Sequence, residues 1–275
     1  MVSVLILTYN EEQNIATCVQ SVRWCDDVVV FDSFSTDRTV EIAKSFDARV
    51  IQRKFDNWAA HQNWANENIA FKHQWVFYLD ADERMTDELR IEIQAIAGCS
   101  NEERVAFYCG RRNYFCGRWI KHAYPPSLIM RFFRPQKVRF ERLVNPVPVI
   151  QGPHGYLRQM FEHYNFSKGL TEWFDKHNKY SLLEAMEGMK STRSQAFHCR
   201  DLFSGDAAIR RKSLKNLSFR MPLRPWLKFF YLYFFQLGFL DGGPGLTYCV
   251  MQSIYEYMIA VKMKELALKG KGIRL

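Results

Sequence analysis

Asp80 and Asp82 are separated only by the small Ala81 and follow directly on the apolar run Trp75–Leu79. Two carboxylates at i and i+2 beyond a strand can meet one hard divalent cation. Mg2+ or Mn2+ typically takes one or two carboxylates together with phosphate oxygens and water, so no complete protein cage is needed. Asp32 and Asp37 stand in a similar relation to the run Val28–Phe31. Acidic pairs are common in turns, so this pattern gains meaning only from the elements that place it. Neither Gly-x-Gly-x-x-Gly nor Gly-x-x-x-x-Gly-Lys-Ser/Thr occurs, which excludes the dinucleotide fingerprint and the phosphate loop. A diphosphate held here would have to be neutralised by a cation and by side chains.

The elements follow from periodicity. Val2–Thr8 is a short apolar, β-branched run ended by Asn10-Glu11-Glu12, and Ile15, Cys18, Val19 and Val22 then carry helical spacing. The cycle repeats with a strand over 28–32, a loop over 33–37, a helix over 39–46 and a third strand from Arg49. Trp75–Leu79 is a further strand, and Thr86 is the expected N-cap of a helix over 87–97. Strands alternating with helices predict an α/β fold, a parallel doubly wound sheet with its ligand site beyond the C-terminal strand ends. Asp32, Asp37, Asp80 and Asp82 all fall there. After residue 105 shorter β pieces (105–108, 128–133, 138–140 and 147–150) are separated by Pro and Gly, and a helix is expected near 171–186. Ser191–Gln195 suggests a linker.

Three motifs stand in order after the first, second and fourth strands: Thr8-Tyr9-Asn10-Glu11, Asp32-Ser33-Phe-Ser-Thr-Asp37 and Asp80-Ala81-Asp82-Glu83. Together, over residues 1–180, they resemble the family 2 glycosyltransferases, in particular the small bacterial lipopolysaccharide core β-1,4-glucosyltransferases. The resemblance implies the GT-A (nucleotide-diphospho-sugar transferase) fold with a mixed sheet, inversion at the anomeric carbon, a UDP-sugar donor and a divalent metal, Mg2+ or Mn2+. It implies a cradle in which Thr8, Tyr9, Glu11 and Asp32 hold the base and ribose, with Asn10, Ser33 and Asp37 in the same loops. By the same match Asp80 and Ala81 lie near the ribose and diphosphate, and Asp82 binds the metal with Asp80 beside it. Asn63, on the helix after the third strand, occupies a position that often touches the nucleotide in such enzymes; a solvated helix face is an equal reading.

Inverting transfer needs a base to take the acceptor hydroxyl proton. Relatives of the lipopolysaccharide type usually place His-Glu after an Arg-x-Phe-Arg strand, whereas this chain reads Arg131-Phe-Phe-Arg134 and, at the place of that pair, Asn145-Pro146. Glu141 is the nearest carboxylate and is expected as the catalytic base beside the metal-binding Asp82; Glu162 and Asp175 are the alternatives. A surface ion pair with Arg139 or Arg142 is the competing role for Glu141. Arg131 and Arg134 are expected to face the donor diphosphate or an acceptor phosphate, because a guanidinium fork suits phosphate oxygens; an ordinary strand-edge arginine fits either as well. The histidines show no local ligand spacing, so no zinc site is expected, and the absence of Gly-x-Ser-x-Gly disfavours serine hydrolase chemistry.

With 275 residues, 48% hydrophobic and 15% aromatic, the chain can bury a sizeable core. Its seven cysteines are odd in number and form no Cys-x-x-Cys pair, and no secretory signal pattern precedes the first strand, so a reducing, cytoplasmic compartment is expected. Residues 200–275 hold 13 Lys/Arg against 5 Asp/Glu, nearly the whole of the +9 net charge. Bases such as Arg210, Arg211, Lys212 and Lys215 alternate there with apolar and aromatic residues, and the uncharged run 229–240 follows. That run is too short to span a bilayer, which needs roughly 20 residues, and fits an interfacial helix on an anionic membrane. The alternative is that these helices pack on the catalytic domain with their bases solvated. Nucleic acid is not expected as a partner, since no nucleic-acid motif accompanies the charge.

These readings predict a GT-A domain over 1–195 and a C-terminal amphipathic helical region over 196–275. The expected function is transfer of a hexose from a UDP-sugar to a lipid-linked or lipopolysaccharide-type glycan acceptor, with the enzyme peripheral on the inner face of the cytoplasmic membrane. A polyprenyl-phosphate sugar transferase, and a nucleotide-sugar-binding module without turnover, are the alternatives.

Overall fold

Val4, Leu5, Ile6 and Leu7 are buried whichever way their side chains point, the pattern of a strand inside a parallel sheet covered on both faces. They form β1 (Ser3–Thr8). The computed structural model describes residues 1–141, 146–194, 200–201, 204–206, 209–210, 213–214, 217, 221 and 223–273, with backbone alone over 191–194. Asn145, Arg211, Lys212 and Lys215 therefore lie outside the described residues.

The expected alternation follows β1: α1 (Ile15–Ser21), β2 (Val28–Asp32), α2 (Thr39–Ser45), β3 (Arg49–Gln52), α3 (Trp58–Asn68) and β4 (Val76–Asp80). After a two-residue strand, β5 (Glu83–Arg84), comes α4 (Asp87–Gly98). Thr86 Oγ1 accepts from the Leu89 N–H at 3.3 Å and caps α4 as predicted. Then come β6 (Ala106–Phe115), β7 (Arg118–Trp119), β8 (Leu128–Phe133), β9 (Val138–Glu141), β10 (Val147–Ile150) and β11 (His154–His163). Among the described residues the sheet order is β3-β2-β1-β4-β8-β6-β11-β5, with β7 on β6, and β9 and β10 form a separate hairpin-like pair. β3, β2, β1 and β4 are mutually parallel, and β8 enters antiparallel beside β4.

The two faces of this sheet bury different sets. Val4, Ile6, Phe77 and Leu79 pack with Ile15, Cys18 and Val19 of α1 and Leu89 and Ile93 of α4. Leu5, Leu7, Phe31 and Tyr78 pack with Ala59 and Ala65 of α3 and with Phe140 of β9. Each large side chain so buried contributes about 1.5–3 kcal/mol, and this core fixes the level at which the parallel strands end.

Contacts divide the chain into two units. The first is Met1–Trp119 with Pro125–Ser167, and the second is Ile120–Tyr124 with Lys168–Leu275. In the second, α5 (Gly169–Ser194) extends over 191–194, within the segment whose composition suggested a linker; no Gly or Pro there interrupts it. There follow α6 (Arg224–Phe230), a π-helical turn Tyr231–Phe235, a 3-10 turn Gly238–Asp241 and α7 (Gly242–Lys269). Gly245 of α7 has no room for a side chain, since an added Cβ would lie 2.3 Å from the Gly238 carbonyl oxygen. The Asp241 carboxylate accepts the N–H groups of Lys121, His122 and Ala123 at 3.1, 2.9 and 2.8 Å, which ties 120–124 to this unit. Among the described residues no helix is long and apolar enough to cross a membrane.

Candidate active site

Four parallel strands end at one level. Thr8 lies opposite Asp32, Asp32 opposite Gln52, and Leu7 opposite Asp80. Beyond this edge the β1 and β2 loops are laced together. The Asn10 N–H donates to Ser35 Oγ (2.8 Å), the Thr36 N–H to Asn10 Oδ1 (2.8 Å) and the Glu11 N–H to Thr39 Oγ1 (2.7 Å). Asn10 and Phe34 hold left-handed backbone (φ 54° and 61°), a conformation that costs a non-glycine residue on the order of 1–3 kcal/mol. Tyr9 and Phe34 are left exposed on the loops.

Asp32 is not presented to a ligand. It is fully buried, and its carboxylate accepts from Thr8 Oγ1 (3.0 Å), the Ser35 N–H (2.9 Å), Ser35 Oγ and Gln52 Nε2 (2.9 Å). The hydroxyl of Thr8 is engaged in the same knot. Both residues shape the floor of the site instead of forming its contact surface. Asp37 accepts from Thr39 Oγ1, the Thr39 N–H and the Glu12 N–H. Burial alone would raise its carboxyl, but these hydrogen bonds outweigh burial and hold it below its usual value. Ser33 Oγ is half-buried, 3.5 Å from His61 Nε2. Glu11, also half-buried, accepts from Asn14 Nδ2 at 2.8 Å.

The carboxylates after β4 have three distinct environments. Asp80 is 39% exposed at its side chain, and one of its oxygens accepts from Arg131 Nη2 at 2.7 Å. Asp82 is 27% exposed, with Oδ2 3.6 Å from His163 Nε2. Glu83 is wholly buried; it accepts from the same Arg131 Nη2 (2.6 Å) and from the Asp80 N–H (2.9 Å). Burial pushes the Glu83 carboxyl up to about 8 against the pull of Arg131, and Asp80 and Asp82 push the same way. His163 Nδ1 faces Asn113 Oδ1 at 2.9 Å, so Nδ1 carries a hydrogen and the ring is held with Nε2 toward Asp82. Arg84 Nη1 donates to the carbonyls of Ala81 and Glu83, both at 2.7 Å, and braces the turn; Ala81 itself is buried.

This donor set fits a hard divalent cation. Asp80 and Asp82 offer partly exposed carboxylate oxygens, and His163 Nε2 lies 3.6 Å from Asp82 Oδ2. Among the described residues no three His, Cys, Asp or Glu side chains are grouped so that they could hold a metal ion. Such a cation would therefore complete its shell with ligand oxygens and water, the habit of Mg2+.

Other expected site residues lie elsewhere or are otherwise engaged. Arg131 is buried beneath the acidic turn and holds Asp80 and Glu83, so its guanidinium is a brace and not a diphosphate contact. Arg134 follows the end of β8, which runs antiparallel to β4, so it lies at the opposite end of the sheet. It stacks on Trp75 at 4.7 Å and donates to the Glu102 carbonyl (3.1 Å). Asn63 bonds the Phe140 backbone twice: Nδ2 to the carbonyl (2.8 Å) and Oδ1 from the N–H (2.7 Å). It anchors β9 on α3, and both ends of its amide are occupied by that task. Glu141 is exposed at the end of β9, opposite Val147. Glu162, next to His163, accepts from the hydroxyls of Tyr114 (3.0 Å) and Tyr164 (2.8 Å), and the Tyr164 N–H donates to the Asp82 carbonyl (2.8 Å).

A family model described as "Glycosyl transferase family 2" matches residues 3–165, which include the strand-end loops and the whole acidic turn. The chain belongs to glycosyl transferase family 2. The mixed sheet, with its acidic turn after β4, is the GT-A fold expected of that family. Among curated relatives, an uncharacterized glycosyltransferase of Rickettsia typhi is 25% identical over 285 residues, covering 99% of this chain and 89% of that protein. The lipopolysaccharide core biosynthesis glycosyltransferase LpsC of Rhizobium meliloti is 25% identical over 273 residues, covering 95% and 91%. Among solved structures, residues 1–349 of Staphylococcus aureus TarS cover 98% of this chain and 91% of their own at 13% identity, with a TM-score of 0.43. That likeness is too slight to argue from.

In this family 2 chain the residues that local spacing missed are His163 and Asn113. They face each other across the parallel pair β6 and β11, fifty positions apart, so no short motif announces them. The signal present was the alternation Leu157, Phe161, His163 on the buried side of β11.

Proposed function

We propose that the chain transfers a hexose from a UDP-sugar, with inversion at the anomeric carbon and a divalent cation, to a lipid-linked or lipopolysaccharide-type glycan acceptor. The reaction would take place at the inner face of the cytoplasmic membrane during cell-surface polysaccharide synthesis. The observation that carries this reading is the turn Asp80-Ala81-Asp82 at the end of β4, with His163 Nε2 3.6 Å from Asp82 Oδ2. Membership of glycosyl transferase family 2 supports a nucleotide-sugar donor, and the likeness to LpsC, a lipopolysaccharide core biosynthesis glycosyltransferase, supports an acceptor of the lipopolysaccharide core type.

Each residue then has a stated task. Asp82 and Asp80 would hold Mg2+ or Mn2+ together with the donor diphosphate, with the His163 ring turned toward Asp82. The bound cation supplies positive charge against the departing diphosphate. Asn113 keeps the His163 ring turned, and Arg131 keeps Asp80 in place. The exposed Tyr9 would meet the nucleotide, with Glu11 beside it, on loops held rigid by Asp32 and Asp37. Of the three carboxylates considered as base, Glu162 is tied by His163 and Tyr164 to the acidic turn. Two tyrosine hydroxyls orient it, and burial with the Glu162 charge keeps the Tyr164 phenol protonated as a donor.

The test is a donor panel read by nucleotide release. UDP should be released from a UDP-hexose in the presence of Mn2+, faster with a lipopolysaccharide-type acceptor, and release should stop in EDTA. No release from any nucleotide sugar would leave a binding module. Full rates in EDTA would remove the metal.

A further inference from the structure

Most of the large apolar side chains left exposed among the described residues belong to the second unit. Two sets of them are organised. On α7, Leu246, Val250, Ile254, Tyr257 and Val261 are all exposed. Their spacing of four, four, three and four places them on one face of the helix. The opposite face, with Gly245, Tyr248, Cys249, Met251 and Ile259, is buried, and α7 packs against α5 and α6. From Leu246 to Val261 the helix holds one charged residue, Glu256, and that is paired with Arg224 at 2.5 Å. A helix apolar on both faces is normally buried all round, yet here the outer stripe, about 22 Å long at 1.5 Å per residue, is bare. The second set is Trp226, Phe230, Phe234, Phe235 and Leu240 on α6 and the turns after it; Phe235 is 81% exposed.

What covers these faces is decided by charge and residue type. Residues 200–275 carry 13 Lys/Arg against 5 Asp/Glu. That surplus would repel a second copy of the same face across a two-fold contact, whereas it attracts anionic headgroups. Trp226, Tyr231 and Tyr257 have amphipathic rings suited to the water–lipid boundary, and Lys228, set among the aromatics, can lay its stem on them and keep its ammonium in water. Among the described residues no helix is long and apolar enough to cross a bilayer, and a one-sided apolar stripe of this kind suits a contact in the plane of one leaflet.

We infer that the outer face of α7 and the aromatic segment 226–240 seat the chain on an anionic lipid bilayer as an in-plane anchor that does not cross it. The inference rests on the surface of the second unit and is independent of the donor chemistry.

The test uses the full chain with vesicles of phosphatidylethanolamine and phosphatidylglycerol, and with pure phosphatidylcholine vesicles. Co-sedimentation should be about tenfold or more stronger on the anionic vesicles, should weaken at high salt and should not vanish there. The double variant Ile254→Gln/Tyr257→Gln should lower partitioning about tenfold or more, with a wild-type thermal midpoint and unchanged nucleotide release in solution. Phe235→Ser, at the most exposed of these positions, should act in the same direction and serves if the double variant does not fold. Brominated lipid should quench tryptophan emission, less so in Trp226→Phe. A folded chain that ignores anionic vesicles at low salt would overturn the inference, as would wild-type partitioning in both variants. A concentration-dependent dimer abolished by Ile254→Gln/Tyr257→Gln would assign the face to a second copy and also overturn it. None of these outcomes bears on the donor reading, which nucleotide release tests separately.

Discussion

His163 Nε2 and Asp82 Oδ2 lie 3.6 Å apart, beside the short antiparallel pairing of β5 with β11. The gap is longer than a hydrogen bond. With Nδ1 donating to Asn113, the His163 ring is held with Nε2 toward Asp82.

The first prediction concerns that space. Asp82→Asn should leave the thermal midpoint nearly unchanged, because the side chain is partly exposed, and should remove most nucleotide release, on the order of 10²–10³-fold. Asn113→Ala should raise the Mn2+ concentration for half-maximal rate by about 10–100-fold, the usual effect of losing a residue that orients a metal ligand. Mn2+ titrations of nucleotide release check both. Unaltered Mn2+ dependence in Asn113→Ala would reduce His163 to a structural residue.

Arg131 separates two readings of the same guanidinium. As the brace of Asp80 and buried Glu83, its loss leaves the buried Glu83 carboxyl without this donor, so Arg131→Met should lower the unfolding free energy by about 1–3 kcal/mol. A diphosphate contact would instead raise the donor KM and leave stability alone. Urea denaturation beside donor saturation curves distinguishes them.

The strand-end carboxylates were legible from sequence because continuous apolar runs mark where buried parallel strands stop, and ligands gather there. Which carboxylate faces the ligand was not legible. Asp32 and Asp80 read alike, and what separates them is the convergence of Thr8, Ser35 and Gln52 on Asp32, contacts set by register between strands. β11 escaped notice because glycine and polar residues dilute its alternation and its parallel partner β6 lies some fifty residues away; His163 was lost with it. Arg134 was misplaced because Arg-x-x-Arg places two arginines on one strand without giving its direction, and β8 runs antiparallel to β4.

The base is decided by paired variants. If Glu162 takes the acceptor proton, Glu162→Gln should slow transfer by roughly 10²–10⁴ with little change in donor affinity. Tyr114→Phe, which removes one of its two hydroxyl donors, should have a smaller effect. Glu141→Gln should then be nearly silent. The reverse ranking would return the role to Glu141. Small effects at both would favour an acceptor with its own anionic oxygen, such as a polyprenyl phosphate.

His61 gives the chain an acid-side weakness. Its ring is buried and stacked on Phe31 with centroids 4.1 Å apart, Nδ1 faces Arg53 Nη1 at 3.1 Å, and Nε2 faces Ser33 Oγ. Arg53 can only donate, so Nδ1 is an acceptor and Nε2 carries the hydrogen. Protonation would set a second N–H against a guanidinium in a buried place. Burial, then Arg53, lowers the pKa from 6.5 to about 4. The folded value lies below the unfolded one, so the unfolded chain binds more protons between them. Stability is therefore intact above pH 6.5 and falls as pH drops toward 4, by on the order of 2 kcal/mol at pH 5 from this residue. Urea unfolding at pH 7, 6 and 5 measures the total slope, and His61→Gln, which keeps an acceptor for Arg53 and a donor for Ser33, should flatten it. An equal slope in wild type and His61→Gln would place the acid sensitivity in the carboxylates instead.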